Sequence, residues 1–517
     1  MVDIQQSSGQ GALFELVARG VKDTYFVKDD TNSTFPYDAR YQSSSHHLSE
    51  RKTMVPINGT TFGGTFEVEI DPYGDIMTEC AFEIDLPTWL PNLPRIPNGQ
   101  LCSPSIVNGL YPITSKITNY SYGYVNYVAY FLFEKIQFYQ DQFLIQEWSG
   151  DGLLAKQLTE GSWNSSFLQQ VNGGLIDTVD LETNTSTARG IQLRATPGHL
   201  RLKLPLPGLQ CPGDGGFPFV AMPWQTFRIK ATLRKLEDLI VCTDCITIPP
   251  NPRPINWIPK PTPWNVPLFT YTFDNGTPYE FAPKSLNQIG QPTILLSTIQ
   301  HYVPPRVQEE LRSTHLQIPF RKQFENNFTF GELDYIPLDK GGTAAVTRRL
   351  DGRHPTERIF WFFRNYNDLD TNQLDNFYNN YFDTHPPTAT QPYTTPYGEF
   401  YYQIKLVIAG RDRELLHPPY LWDQINQLSK DEKANGKQIS AMKWSIGDQY
   451  GTVYPTPRQL EGTINFTTAD RPTLYIELAN IDYNLYLAQR KSEMRVFTEG
   501  WNVYEVKEGR GRLLFAN

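Results

Sequence analysis

The sequence has few cysteines, no long apolar run and no cluster of basic residues. Five cysteines in 517 residues are a sparse and odd set, unlike the disulfide framework of a secreted domain, so we expect a reducing compartment. No stretch approaches the roughly 18 apolar residues that span a bilayer, and the opening MVDIQQSSGQG lacks the regions of a signal peptide. A net charge of −9 without a Lys or Arg run disfavours direct binding of nucleic acid.

Short motifs of common enzymes are also missing. The chain contains no G-x-S-x-G, no P-loop and no H-E-x-x-H, which are signatures of hydrolases, nucleotide-binding proteins and zinc peptidases. Cys242 and Cys245 have the spacing of half a zinc site, but no second pair completes four ligands. We therefore predict that the protein is not an enzyme and has no catalytic residues, no metal and no cofactor.

Residues 368–379 begin like a calcium-binding loop. Asp368, Asp370 and Asn372 supply the first ligands, but Gln373 stands where the loop needs glycine and Asn379 where it needs glutamate. We interpret this segment as a polar surface loop.

Glu67 and Glu69 lie on one face of a predicted strand. Their spacing of about 6.6 Å falls near that of the carboxylate pairs of glycosidases. One carboxyl group of such a pair must be desolvated to raise its pKa, and a solvated strand face does not desolvate it. Solvent-facing charge is the favoured interpretation, and a β-sandwich glycosidase is kept as an alternative.

Proline, glycine and aromatic residues are abundant. The 40 prolines and 36 glycines are scattered along most of the chain and leave few windows in which a long helix can propagate. Apolar and polar residues alternate in TFEVEI, CAFEIDL, LRLKLPL, TFRIKATL and TLYIEL. This period of two is typical of antiparallel strands with one buried and one solvated face, so we predict an all-β fold.

The distribution of proline suggests a division into domains. The run CITIPPNPRPINWIPKPTPWNVPLF has a proline every few residues and is typical of a semi-rigid connector. We therefore predict an N-terminal arm at residues 1–30 with a short amphipathic helix, a first β domain at 31–245, a Pro-rich linker at 246–267 and a second β domain at 268–517. Each β domain has the size of one β-sandwich with long loops.

Eight N-x-[S/T] triplets are candidate glycosylation sites. The triplet is common by chance and requires a glycosylating compartment, which the sparse cysteines do not favour. The asparagines are Asn32, Asn58, Asn119, Asn164, Asn184, Asn275, Asn327 and Asn465.

A series of segments, spread from residue 11 to the end of the sequence, follows an order found in one family. The segments are GALFELVARGVKDTYFV, TFGGTFEVEIDPYGDIMTECAFEIDLP with its Gly74-Asp75 turn, YGYVNYVAYFLFEKIQFYQDQFLIQEWSG, LRLKLPLPGLQCPGDGGFPFVAMPWQTFRIKATLR, QEELRSTHLQIPFRKQFE, GRHPTERIFWFFRN, IAGRDRELLHPPYLW, LEGTINFTTADRPTLYIEL and RVFTEGWNVYEVKEGRGRLLFAN. In this order they resemble the double jelly-roll major capsid proteins of nucleocytoplasmic large DNA viruses and their relatives.

The resemblance implies a fold and a function. The fold would be two consecutive eight-stranded antiparallel jelly rolls with long loops and a short N-terminal helix. The function would be that of a structural major capsid protein, whose homotrimers form pseudo-hexagonal capsomers of an icosahedral shell. The implied partners are neighbouring trimers, minor capsid and penton proteins and, through the N-terminal arm, an internal membrane. The implied location is the virion, after synthesis and assembly in the host cytoplasm.

Two insertions between strands, residues 151–190 and 366–400, are predicted to lie at the top of the capsomer or at trimer contacts. The second is rich in tyrosine and phenylalanine, which are common at interfaces. Apart from the glycosidase, a carbohydrate-binding jelly-roll protein remains an alternative function.

Overall fold

The fold is described from a computed structural model of the chain. The described residues are 48–87, 121–160, 171, 199–210, 215–243, 269–272, 278–281, 289–331, 334, 344–365, 369, 372, 374–375, 380–381, 398–399, 401–413, 415–419, 421–422, 439–444, 462–466, 472–478 and 492–515.

The described residues form mainly β-strands. The strands are β1 Leu48–Met54, β2 Thr65–Ile70, β3 Ile76–Asp85, β4 Ser121–Tyr124, β5 Phe133–Gln140, β6 Phe143–Trp148, β7 Leu200–Lys203, β8 Phe217–Pro218, β9 Phe227–Leu233, β10 Ile240–Thr243, β11 Phe269–Thr272, β12 Pro278–Phe281, β13 Thr293–Tyr302, β14 Leu316–Phe330, β15 Ala344–Arg349, β16 Pro355–Asn365, β17 Asn380–Tyr381, β18 Gly398–Glu399, β19 Tyr401–Ile408, β20 Arg411–Asp412, β21 Ser440–Lys443, β22 Ile464–Asn465, β23 Thr473–Leu478, β24 Ser492–Lys507 and β25 Arg510–Leu513. The helices are α1 Val128–Phe131, α2 Gly150–Glu160 and α3 Pro305–Ser313.

Eight strands between residues 48 and 302 form two facing antiparallel sheets. Their orders are β1-β13-β3-β7 and β2-β9-β5-β6. Numbered one to eight along the chain, these strands pair as 1-8-3-6 and 2-7-4-5. Two four-stranded sheets connected in this way form a jelly roll.

Eight strands of the second half repeat the same connectivity. Their orders are β14-β24-β16-β21 and β15-β23-β19-β20, which again read as 1-8-3-6 and 2-7-4-5. The prediction of two consecutive eight-stranded jelly rolls is confirmed. The repeated strand order also reveals an internal duplication that no sequence repeat indicates. The predicted N-terminal arm and its helix lie outside the described residues.

Alternating residues build the core of each roll. Phe66, Val68 and Ile70 of β2 are buried, whereas Glu67 between them points outward. Phe66 meets Phe82 of the opposite sheet edge to face, with ring centres 5.8 Å apart. The two-residue period of the sequence therefore corresponds to one face packed in the core and one in contact with solvent.

The domain boundary predicted at residues 246–267 is wrong. Strand β13, which the sequence analysis assigns to the second domain, pairs with β1 on one side and β3 on the other. It is the eighth strand of the first roll, so the Pro-rich run falls in the connection between the seventh and eighth strands. Because proline interrupts a sheet equally well within a domain and between domains, the proline run alone does not locate a boundary.

The connection between the rolls is instead residues 303–315, which contain α3. From here on, the linker means this segment and not the Pro-rich run. The side chain of Asp75 holds its start: Asp75 Oδ2 accepts hydrogen bonds from Val303 N–H (2.8 Å) and from Gln308 Nε2 (3.0 Å). The linker is thereby fixed to the turn between β2 and β3 of the first roll.

Glycine is required beside this aspartate. A Cβ atom on Gly74 would lie 2.7 Å from Cβ of Gln300, closer than side-chain atoms pack. Gly74 N–H donates to Gln300 Oε1 (2.8 Å), and Gln300 Nε2 donates to the carbonyl of Asp71 (2.9 Å). The Gly74-Asp75 turn thus anchors both β13 and the linker.

We call the end of the molecule that carries the linker the base. The base comprises the turns at residues 71–75 and 141–142, the segment 219–226, the linker and the C-terminal hairpin of β24 and β25. Hydrogen bonds join these parts: Val220 N–H to the Asp75 carbonyl (3.0 Å), Asp141 N–H to the Thr226 carbonyl (2.8 Å) and Gly511 N–H to Gln225 Oε1 (2.6 Å). The eighth strands of the two rolls, β13 and β24, both end at the base, so both rolls stand the same way up.

Candidate functional site

The two rolls meet along a sheet of the second roll that is buried on both faces. On β16, Ile359, Trp361 and Phe363 pack in the core of the second roll. The alternate residues Phe360 and Phe362 pack in the core cluster of the first roll. A strand that is apolar on both faces is expected where a sheet is covered on both sides, and here the second cover is the first roll. We call this contact region the joint.

Helix α2 of the first roll carries a buried carboxylate into the joint. Asp151 is fully buried, and its oxygens accept from Arg364 (2.6 Å), Arg234 (2.7 Å) and Arg495 (3.4 Å). Burial alone would raise the pKa of Asp151, but the guanidinium groups of Arg364, Arg495 and Arg234 outweigh it and hold the pKa well below its usual range. Asp151 is therefore charged and binds three elements together.

Glu499 of β24 is a second buried carboxylate in the joint. Its oxygens accept from Arg358 Nε of β16 (2.6 Å) and from Lys156 Nζ of α2 (2.8 Å). Burial raises the pKa of Glu499, and the stronger opposing effect of Arg358 and Lys156 lowers it well below the ordinary value. Arg358 also donates to Thr159 Oγ1 of α2 (3.2 Å). One side of α2 is thus held by charges on two neighbouring strands of the second roll.

A glutamine of the first roll caps the free edge of β14. Gln210 Oε1 accepts from the backbone N–H of Arg321 (2.7 Å), and Gln210 Nε2 donates to the Arg321 carbonyl (2.8 Å). Gln146 Nε2 donates to the same carbonyl (3.1 Å). At Arg321 the side-chain amide takes the place of a neighbouring strand, so this position of the edge cannot pair with another chain.

A cationic cluster lies in the second roll. Burial and the neighbouring Arg353 lower the pKa of Lys322 to about 8, against an opposing effect of Glu147. Burial, Lys322 and Arg353 lower the pKa of His354 to about 4. His354 packs against the ring of Phe324 at 5.8 Å. The imidazole is therefore neutral at neutral pH.

Sequence reasoning missed the joint, and the joint corrects part of one prediction. The insertion at residues 151–190, predicted at the capsomer top or at trimer contacts, begins with α2, which lies inside the molecule. Apart from residue 171, the remainder of the insertion after Glu160 lies outside the described residues. The available signal was charge within apolar strands, as in ERIFWFFRN, because a charged residue between large apolar ones needs a buried partner. The sequence does not identify that partner, since Asp151 and Arg364 are 213 residues apart.

The candidate glycosidase pair lies on the solvated face of the first roll. Glu67 forms ion pairs with Lys230 (3.4 Å) and Arg228 (3.5 Å), and Glu69 is exposed. An acid catalyst needs a desolvated carboxyl group without such partners. This arrangement supports the interpretation of both residues as surface charge.

The other candidate ligands are only partly described. Asn372 donates from Nδ2 to the carbonyls of Glu237 (2.6 Å) and Ile240 (2.8 Å), so its amide is engaged in holding the chain. Asp368, Asp370 and Cys245 lie outside the described residues. Within the described ranges, no group of three or more His, Cys, Asp or Glu side chains is placed to hold a metal ion, and no helix is long and apolar enough to cross a membrane.

Three of the eight sequon asparagines can be located. Asn58, Asn327 and Asn465 are exposed, which an attached glycan requires. The other five lie outside the described residues: Asn32, Asn119, Asn164, Asn184 and Asn275. Glycosylation at all eight positions stays a prediction.

Comparison with known proteins finds similarity in structure and not in sequence. No protein-family model matches the chain, and no curated protein sequence matches it.

Solved structures match the chain along nearly its whole length. The PBCV-1 protein VP54, fitted into a reconstruction of the virophage Sputnik, superposes with a TM-score of 0.61 at 13% identity, covering 92% of this chain and 98% of VP54. A quasi-atomic model of the PBCV-1 virus capsid gives 0.58 at 13% identity, with the same coverage. The Faustovirus major capsid protein gives 0.52 at 12% identity, covering 96% of this chain and 98% of the other. The chain therefore has the fold of these proteins.

Proposed function

We propose that the protein is a structural major capsid protein that forms trimeric, pseudo-hexagonal capsomers of an icosahedral shell. The observation that carries the proposal is the match in fold to a PBCV-1 virus capsid model, over 92% of this chain and 98% of the other, and to the Faustovirus major capsid protein, over 96% and 98%. The architecture suits this role, because two upright rolls with a charged, interlocked joint form one rigid block. A rigid subunit suits a shell, because it holds all its contact surfaces in position at once. Many weak contacts between neighbouring subunits can then form together.

The proposal includes the partners and location of the protein. The chain would associate with itself as a homotrimer, then with neighbouring trimers and with minor capsid and penton proteins. The N-terminal arm at residues 1–30 would face inward, towards minor capsid proteins or an internal membrane. The protein would be made and assembled in the host cytoplasm and would remain in the virion.

The oligomeric state tests the proposal directly. Light scattering on the purified full-length protein is expected to give about three times the chain mass of 59.3 kDa. A stable monomer over the same concentration range would contradict the capsomer.

A role without catalysis is part of the same proposal. Ion pairs hold Glu67 on a solvated sheet face, so we expect no turnover with a panel of glycoside substrates. Reproducible hydrolysis that is lost in Glu67→Gln would instead support the glycosidase alternative.

A further inference from the structure

The C-terminal hairpin of β24 and β25 crosses from the second roll to the base of the first. Gly511 is the contact point: its N–H donates to Gln225 Oε1 (2.6 Å), and its carbonyl accepts from Gln140 Nε2 (2.6 Å) and Gln225 Nε2 (3.3 Å). Both backbone groups of Gly511, its N–H and its carbonyl, are thus paired with side-chain amides of the other roll. Such reciprocal pairs replace a neighbouring strand and satisfy a backbone edge that would otherwise be buried without partners.

Tyr504 of β24 enters the core of the first roll beside this contact. Its hydroxyl donates to Gln140 Oε1 (2.6 Å), and its ring lies 5.2 Å from the ring of Phe217. Burial raises the pKa of Tyr504, so the hydroxyl remains a donor. The hairpin therefore contributes one side chain and one backbone unit to the base of the first roll.

Only glycine fits at the contact point. A Cβ atom on Gly511 would collide with the hydroxyl of Tyr504 and would lie 2.6 Å from the sulfur of Met222. The strand β25 can approach the first roll because this position has no side chain.

The hairpin contrasts with the rest of the joint. The ion pairs of Asp151 and Glu499 involve β16 and the body of β24, whereas the hairpin tip protrudes beyond them. Residues Lys507, Glu508 and Arg510 at the tip are exposed, and the turn uses left-handed backbone at Glu508 (φ 54°) and Gly509 (φ 77°). Tyr504 and Val506 are buried and also pair with β14, so opening the hairpin would expose these two side chains while the ion pairs of Asp151 and Glu499 stay in place.

We propose that this hairpin is a clasp that fixes the bases of the two rolls and closes only after both have folded. Its receiving site needs Gln140, Met222 and Gln225 already in place in the first roll. Its own residues are among the last of the chain to be synthesised, and domains fold in the order of synthesis. In the open state the rolls stay joined by α2 and by the linker, and the hairpin no longer bridges their bases.

Hydrogen exchange on the full-length protein tests the clasp. The variants are Gln225→Ala, which removes two hydrogen bonds from a half-buried side chain, and Gly511→Ala, which places a Cβ at the contact point. Gly59→Ala is the matched control, because a Cβ there meets nothing within 4 Å. We expect at least about tenfold faster exchange at residues 504–513 and 136–142 in both variants, with 355–365 unchanged, and faster tryptic cleavage after Arg510 and Arg512.

Two results would overturn the proposal. If residues 504–513 exchange at the control rate in both variants, the contacts of Gly511 do not hold the hairpin. If exchange accelerates equally in residues 355–365 and across both rolls, the hairpin is an inseparable part of the common core and not a clasp. Should Gly511→Ala fail to fold, Gln225→Ala alone distinguishes these results, since its side chain is only half-buried.

Discussion

At the scale of single residues, charge in the joint is the feature that sequence reasoning could not place. The alternation of β2 predicts the buried Phe66, Val68 and Ile70 from the pattern alone, because their environment depends only on the strand's own period. Asp151 and Glu499 depend on groups supplied by distant segments. Nothing local to GDGLLAKQL shows that its aspartate faces three arginines inside the protein.

Removing the charge of Asp151 is expected to destabilise the protein strongly. In Asp151→Asn, the buried Arg364 and its neighbours Arg234 and Arg495 lose their shared counter-ion, and breaking a buried pair in this way costs about 3–5 kcal/mol. The free energy of unfolding from urea titration checks this. The control is Asp412→Asn, which breaks the exposed pair with Lys405 and should cost less than about 1 kcal/mol. Equal effects of the two changes would contradict a special role for Asp151.

His354 is expected to make stability depend on pH between 6.5 and 4. Its pKa falls from 6.5 to about 4 on folding, so in this range the unfolded chain binds a proton that the folded protein does not. The free energy of unfolding should therefore fall as the pH drops through this window. The contribution of neutral His354 to that free energy should be complete above pH 6.5. Urea titrations at several pH values measure the slope.

The variant His354→Asn should flatten that slope. Asparagine tolerates the left-handed backbone of this position (φ 70°) and does not titrate. His199→Asn is the control, because His199 is more than half exposed and lies beside Asp85. An unchanged slope in His354→Asn would show that another group is responsible.

At the scale of elements, the sequence predicts which segments form strands but not which roll each strand joins. The alternating segments indicate strands wherever one face is solvated, and the structure contains strands at TFEVEI, TFRIKATL and TLYIEL. Membership depends on pairing between distant segments, which a period of two does not encode. Strand β13 illustrates this, because its partner β1 begins 245 residues earlier while the more conspicuous proline run lies between them.

The position of β13 predicts which break in the chain the protein tolerates. Two split versions are compared by co-expressing both pieces: one divided between Val303 and Pro304, the other within residues 246–267. The first keeps the eight jelly-roll strands of each roll together in one piece, whereas the second removes the central strand β13 from its sheet. We expect a higher yield of soluble one-to-one complex from the first, measured by size-exclusion chromatography. Equal or greater yield from the second would contradict the observed boundary.

At the scale of the whole molecule, the rolls share one core. The buried cluster that fills the first roll includes Phe360, Phe362 and Phe497 of the second. The length of the sequence and the resemblance of its segments indicate two domains. How closely the two domains pack depends on which faces of β16 and β24 are covered. That information is present only in three dimensions.

A shared core predicts cooperative unfolding. Hydrogen exchange in rising urea, followed at residues 76–85 of the first roll and 355–365 of the second, is expected to give coincident transitions. Two independent domains would unfold at different urea concentrations, and a separation of the two midpoints would show that the joint does not couple the rolls.

The joint has one more consequence, because it is not self-complementary. The second roll contributes the sheet β14-β24-β16, whereas the first contributes the side that carries β6 and α2. Since both rolls share one connectivity, the strands β1-β13-β3 of the first roll correspond to β14-β24-β16, and β20 of the second roll corresponds to β6. A contact between unlike surfaces, repeated from copy to copy, generates either a ring or an open filament. Three chains in a ring would place six similar rolls around an axis, with contacts within one chain and contacts between chains alternating.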